Sequence, residues 1–107
     1  MSQRHRILIL GTGSIGERHL RCFLATGRTE LAFCEPVDRR REEVVGRYSA
    51  ARAFASVADA LAAASFDAAV IATPAPSHIP LALELAAHGL HLLIEKPLSL
   101  SLDRVEE

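Results

Sequence analysis

A chain of 107 residues accommodates one domain at roughly 100 to 200 residues per domain, which excludes a cofactor domain and a substrate domain side by side. Half of the residues (50%) are hydrophobic, enough for a core and incompatible with disordered, collagen-like or coiled-coil classes. Twelve basic residues against 13 acidic ones give a formal net charge of -1, with no broad positive field to draw nucleic acid or an anionic membrane, so neither is expected as a partner.

Arg6 to Leu10 is a short aliphatic run ended by glycine, the pattern of a strand buried on both faces of a parallel sheet. From Ser14 to Thr26 the period becomes helical: Gly16, Leu20, Phe23, Leu24 and Gly27 share one face, and Gly27 supplies a stop. Glu30 to Cys34 reads as a second strand, and Asp38 to Tyr48 as a charged helix with Val44, Val45 and Tyr48 inward. A short strand near Ala53-Phe54, a helix from about Val57 to Ala64 and a strongly buried strand from Asp67 to Thr73 repeat the alternation. Ser77 is placed to cap a further helix whose apolar face is Ile79, Ala82, Leu83 and Ala86, with Gly89 at its end. His91 to Ile94 is the fifth strand, and Ser101 to Glu107 has the cap and acidic first turn of a helix beginning.

Strands and helices alternating at this length imply βαβ units, hence an α/β fold: a doubly wound parallel sheet covered by helices. Such sheets bind ligands at the carboxyl ends of their strands, so the turns after Leu10, Cys34, Thr73 and Ile94 are the places to look for chemistry. The longest apolar stretches, such as Ala68 to Ala72, are far short of the roughly 18 residues of a membrane span, and Met1 to Leu10 lacks a signal-peptide layout. A cytoplasmic location is expected.

The first of those turns is Gly11-Thr12-Gly13-Ser14-Ile15-Gly16, a GxGxxG between a strand and a helix. Gly11 allows the tight turn, Gly13 lets a pyrophosphate approach the backbone, and Gly16 lets the helix pack on the sheet, while the helix N-terminus supplies amide donors. Glu35 ends the second strand nineteen positions beyond Gly16, close to the roughly twenty at which an acidic residue accepts from adenosine ribose hydroxyls. Its charge favours NAD over NADP. Arg39, Arg40 and Arg41 begin the next helix; they form either a solvated face or guanidinium partners for a 2′-phosphate, and Arg40 is counted with the cofactor contacts, so NADP stays open.

Thr73-Pro74-Ala75-Pro76-Ser77-His78 is a proline-stiffened loop at the same edge, where His78 either faces the nicotinamide or helps start the helix. His5, His19, His88 and His91 have no mutual spacing that builds a metal site, and Cys22 and Cys34 read as ordinary buried thiols; no metal is expected. Among eleven arginines there is a single lysine, Lys96, in Glu95-Lys96-Pro97 after the fifth strand.

Gly11-x-Gly13-x-x-Gly16, Thr73-Pro74-x-x-x-His78 and Glu95-Lys96-Pro97, in this order and spacing, resemble the glucose-fructose oxidoreductase / inositol dehydrogenase / rhizopine catabolism (Gfo/Idh/MocA) family over nearly the whole chain. The resemblance implies a Rossmann domain over 1–107 and NAD(P)-dependent oxidation or reduction of a sugar, cyclitol or related polyol. It also implies a larger C-terminal α/β domain and assigns the family lysine to Lys96. A lysine beside a nicotinamide can hydrogen-bond the reacting oxygen and relay its proton, whereas an arginine stays charged; Glu95 can hold the ammonium. The chain is then the cofactor half of an oxidoreductase, ending after the fifth strand and the start of the next helix, and inactive alone. The alternative is a free-standing nucleotide- or partner-binding module, and self-association through exposed edges stays open.

Overall fold

The computed structural model describes residues 5–48, 51–73 and 75–94. Five strands, β1 (His5–Leu10), β2 (Thr29–Cys34), β3 (Arg52–Phe54), β4 (Ala68–Ile71) and β5 (His91–Ile94), form one sheet in the order β3-β2-β1-β4-β5. Every neighbouring pair is parallel, with Leu10 opposite Cys34 on one side and Ile71 on the other. Four helices connect them: α1 (Ser14–Thr26), α2 (Asp38–Arg47), α3 (Val57–Ala63) and α4 (His78–Ala87), the last preceded by a 3-10 turn at Ala75–Ser77.

Side chains alternate between the faces of a strand, and the core divides accordingly. Leu8, Leu10, Ala32, Cys34, Ala69 and Ile71 gather with Ala60 of α3 and Leu85 of α4. Their neighbours Ile7, Ile9, Leu31, Phe33 and Val70 gather on the other face with Leu20 of α1 and Val44 of α2. Helices following β1 and β2 therefore cover one face and those following β3 and β4 the other. The winding reverses between β1 and β4, and at such a switch point the loops diverge and leave a crevice.

Several local expectations need correcting. The inward stripe of α4 includes His78, Ile79 and Leu85, with Leu81 and Ala82 packed on the core, while Ala86 is exposed. Burial of His78 rotates the helix by about one residue from the Ile79-Ala82-Leu83-Ala86 face. Ser77 precedes α4 but makes no side-chain cap bond; its hydroxyl pairs with that of Thr73. The strand β4 is shorter than Asp67 to Thr73, and Val45 of α2 is exposed. The segment Ser101 to Glu107 lies outside the described residues.

The two thiols also differ: Cys34 is buried, but Cys22 is exposed on α1. Burial pushes the Cys34 thiol up to about 12, and its Sγ lies 3.4 Å from the Ser56 carbonyl. Thiolate is the reacting form, so at pH 8 one thiol per chain is expected to react rapidly with a disulfide reagent and the second only in denaturant. Rapid titration of both in the native chain would show that the Cys34 face of the sheet is open.

Candidate dinucleotide-binding site

The carboxyl ends of β1, β2 and β4 border a groove of about 500 Å³. Its walls are the turn Gly11 to Ile15, the β2 end with Glu35, Pro36, Val37 and Arg40, and Ala72 and Thr73 after β4. The ladder closes its base: the Gly11 amide donates to the Cys34 carbonyl (2.9 Å) and the Ala72 amide to the Leu10 carbonyl (2.9 Å).

Each glycine of the turn has its own reason. Gly11 adopts φ +87°, and a Cβ there would stand 3.0 Å from the Ala72 carbonyl oxygen. At Gly16 a Cβ would stand 1.8 Å from the Gly11 carbonyl oxygen, so only hydrogen lets α1 begin this close beneath the turn. Gly13 differs: it caps α1 in extended conformation, and a Cβ there would meet no protein atom within 4 Å. It would stand in the groove. The first intrahelical bond of α1 runs from the Glu17 amide to the Gly13 carbonyl (2.9 Å), leaving the amides of exposed Ser14 and Ile15 as donors at the groove, where the helix dipole favours an anion.

Glu35 faces this turn from β2 and is only 3% exposed. Its Oε1 accepts from the Thr12 amide (3.1 Å) and hydroxyl (2.9 Å), and its Oε2 from the Val37 amide (3.1 Å). Arg40 Nη1 lies 3.7 Å from Oε1. Burial alone would push the Glu35 carboxyl up, but the hydrogen bonds from Val37 and Thr12, helped by the Arg40 charge, outweigh it and hold the group below the usual carboxylate range. A buried, ionised acceptor thus stands beside the glycine turn.

The three arginines of α2 have separate engagements. Arg39 pairs with Glu43 (3.4 Å), and Arg41 donates to the Glu35 carbonyl (2.9 Å) and to Asp38 (2.6 Å). Arg40 alone of the three lines the groove. Across the crevice, Thr73 lines it too, whereas His78 is 1% exposed and its Nε2 lies 2.6 Å from the Thr73 carbonyl, tying the loop to α4 from within. Pro74, Glu95, Lys96 and Pro97 lie outside the described residues.

Pro36, Val37 and Ala72 belong to the groove although their sequence positions do not single them out. Val37 had a signal in retrospect: it is an apolar N-cap, without a side-chain cap bond, where a polar residue is usual, and it is 50% exposed beside Glu35. Ile15, 47% exposed, is the second apolar surface in the groove. Backbone donors at a glycine cradle, a carboxylate for a diol and apolar patches for flat rings fit a dinucleotide.

A second cavity, about 280 Å³, sits at the opposite, amino end of the strands among Arg6, Glu30, Arg52 and Phe66 and shares none of these features. Among the described residues no group of three or more His, Cys, Asp or Glu is placed to hold a metal ion, and no helix is long and apolar enough to cross a membrane.

Residues 5–107 match the family model described as an oxidoreductase family with an NAD-binding Rossmann fold (GFO_IDH_MocA). An inositol 2-dehydrogenase of Streptomyces avermitilis is 35% identical over 100 residues, 92% of this chain and 29% of that protein. The WlbA dehydrogenase from Bordetella pertussis, solved in complex with NADH and UDP-GlcNAcA, has a TM-score of 0.83 at 31% identity, covering 91% of this chain and 29% of that one. The myo-inositol 2-dehydrogenase from Lactobacillus plantarum has a TM-score of 0.88 at 25% identity over 97% of this chain and 31% of its own. The chain spans about 30% of the length of the relatives it matches.

Proposed function

The chain belongs to the Gfo/Idh/MocA oxidoreductase family, and from that membership we propose that its 107 residues are the NAD-binding domain of an enzyme acting on a sugar, cyclitol or related polyol. The observation that carries the cofactor half of this reading is the meeting of a buried, ionised Glu35 with the glycine turn across 23 residues of sequence. Relatives that act on inositol or hold UDP-GlcNAcA support the substrate class.

In this reading the amides of Ser14 and Ile15 and the open backbone at Gly13 hold the pyrophosphate, with Thr12 forming the turn between Gly11 and Gly13. Glu35 accepts from the adenosine ribose, and Val37 and Arg40 border the base. Thr73 and His78 shape the nicotinamide side, His78 through its bond to the Thr73 carbonyl. The bound nicotinamide supplies the hydride chemistry. To Lys96 we assign the transfer of the proton of the reacting hydroxyl, a task open to an amine that can lose its proton and closed to a guanidinium. We place substrate recognition outside these 107 residues, as the span of the relatives suggests.

Calorimetry with NAD and NADP tests the assignment. The Glu35 carboxylate repels a 2′-phosphate at short range, so NAD is expected to bind at least about tenfold more tightly, a difference of roughly 1.4 kcal/mol. Glu35→Gln should narrow the gap. Tighter NADP binding at ordinary salt would mean that Arg40 governs the choice, and binding of neither would end the dinucleotide reading.

A further inference from the structure

Glu35 stands in the groove with its hydrogen bonds unevenly divided. Oε1 takes both Thr12 donors and faces Arg40, while Oε2 takes the Val37 amide alone. A carboxylate oxygen has about two lone-pair sites, so the acceptor position left for a ligand is on Oε2. The Thr12 and Val37 amides remain whatever side chains stand at those positions. The Thr12 hydroxyl is the one side-chain hydroxyl on this carboxylate among the described residues, and Thr12 is itself 3% exposed, so water does not readily replace it.

We propose that Thr12 is a positioning residue for cofactor selection: its hydroxyl locks the Glu35 carboxylate in the orientation that accepts a ribose hydroxyl and repels a 2′-phosphate. This rests on the dinucleotide reading above. Arg40 is the counterweight. Its half-exposed guanidinium faces the same Oε1, whereas Arg39 and Arg41 are engaged by Glu43, Asp38 and the Glu35 carbonyl. Without the Thr12 hydroxyl, Oε1 regains a lone pair and the guanidinium is the side chain placed to claim it. The carboxylate then turns toward Arg40, its charge is compensated, and the barrier to a 2′-phosphate falls.

Thr12→Val removes the hydroxyl while keeping the branched shape and the amide, Thr12→Ala is a second hydroxyl-free variant should the first fold poorly, and Thr12→Ser keeps the hydroxyl. Kd values for NAD and NADP are measured by calorimetry for the parent chain, these variants, Glu35→Gln and the Thr12→Val/Glu35→Gln double variant. The preference for NAD is expected to fall about tenfold in the hydroxyl-free variants, the scale of one hydrogen bond to a charged group, and to be retained by Thr12→Ser. In the Glu35→Gln background, loss of the hydroxyl should leave the ratio unchanged, since the cycle isolates what Thr12 does through Glu35. Equal weakening of both cofactors with the ratio intact would confine Thr12 to the shape of the turn and overturn the proposal. So would an undiminished effect in the Glu35→Gln background. A parent that binds both cofactors while the ratio ignores Thr12 leaves the dinucleotide reading standing; a parent that binds neither removes both.

Discussion

Gly13→Val is expected to raise the Kd for NADH about a hundredfold, a loss of roughly 2.7 kcal/mol, while the chain stays folded. The backbone at Gly13 is extended (φ -65°, ψ -173°), a conformation open to valine, and its Cβ would meet no protein atom within 4 Å. The fold therefore has no steric quarrel with the substitution. A poorer N-cap costs α1 about 1 kcal/mol, leaving most of the stability of a small domain in place. The new side chain enters space that no protein atom occupies, beside the groove that Gly13, Ser14 and Ile15 line, where the dinucleotide reading puts the pyrophosphate. Calorimetry with NADH, paired with far-UV circular dichroism, separates the two effects. Equal NADH affinity in parent and variant would remove the glycine turn from the binding site.

Gly16→Ala is expected to have the converse profile, destabilising the fold at a position that does not line the groove. The added Cβ would stand 1.8 Å from the Gly11 carbonyl oxygen and 2.8 Å from its carbonyl carbon, both main-chain atoms of the turn beneath which α1 starts. Relief requires the first turn of α1 to move off the sheet, carrying buried Leu20 with it. Overpacking costs typically 1 to 3 kcal/mol, and a clash with backbone belongs at or beyond the upper end of that range, about 3 kcal/mol. For a domain of this size that lowers the melting temperature by more than about 10 °C. Thermal denaturation followed by circular dichroism measures it, and an unchanged midpoint would mean that the helix and the turn are not in close contact.

The contrast between these glycines shows what the sequence makes legible. GxGxxG between a strand and a helix announces the turn, and the separate duties of its glycines follow from where a Cβ would go. The sheet was legible because Ile7 to Leu10, Leu31 to Cys34 and Ala69 to Ile71 are apolar at every position, as burial on two faces requires. Helix rotation was less so. Ile79, Ala82, Leu83 and Ala86 form a good periodic stripe, but a buried histidine bonded to the Thr73 carbonyl sets the azimuth of α4, and periodicity treats histidine as polar. Exposure of Cys22 likewise depends on which side of α1 meets the sheet. Glu35 was legible as an acidic residue facing the glycine turn from its distance to Gly16, yet its donors were not. Thr12 and Val37 reach it through tertiary placement, and no local pattern encodes a threonine hydroxyl meeting a carboxylate 23 residues away. Arg39, Arg40 and Arg41 are chemically alike, and helical phase sends Arg40, the one counted with the cofactor contacts, to the groove.

Titration of the isotope-labelled chain with NAD, followed by amide chemical shifts, tests the placement of the cofactor most directly. Binding at the switch point requires saturable shifts at Gly11 to Gly16, Glu35, Val37, Arg40 and Thr73, with the amides of Arg6, Glu30, Arg52 and Phe66 at the opposite end of the sheet left still. Absence of saturable shifts, or shifts centred on the Arg6 and Arg52 cavity with the glycine turn unmoved, would contradict it.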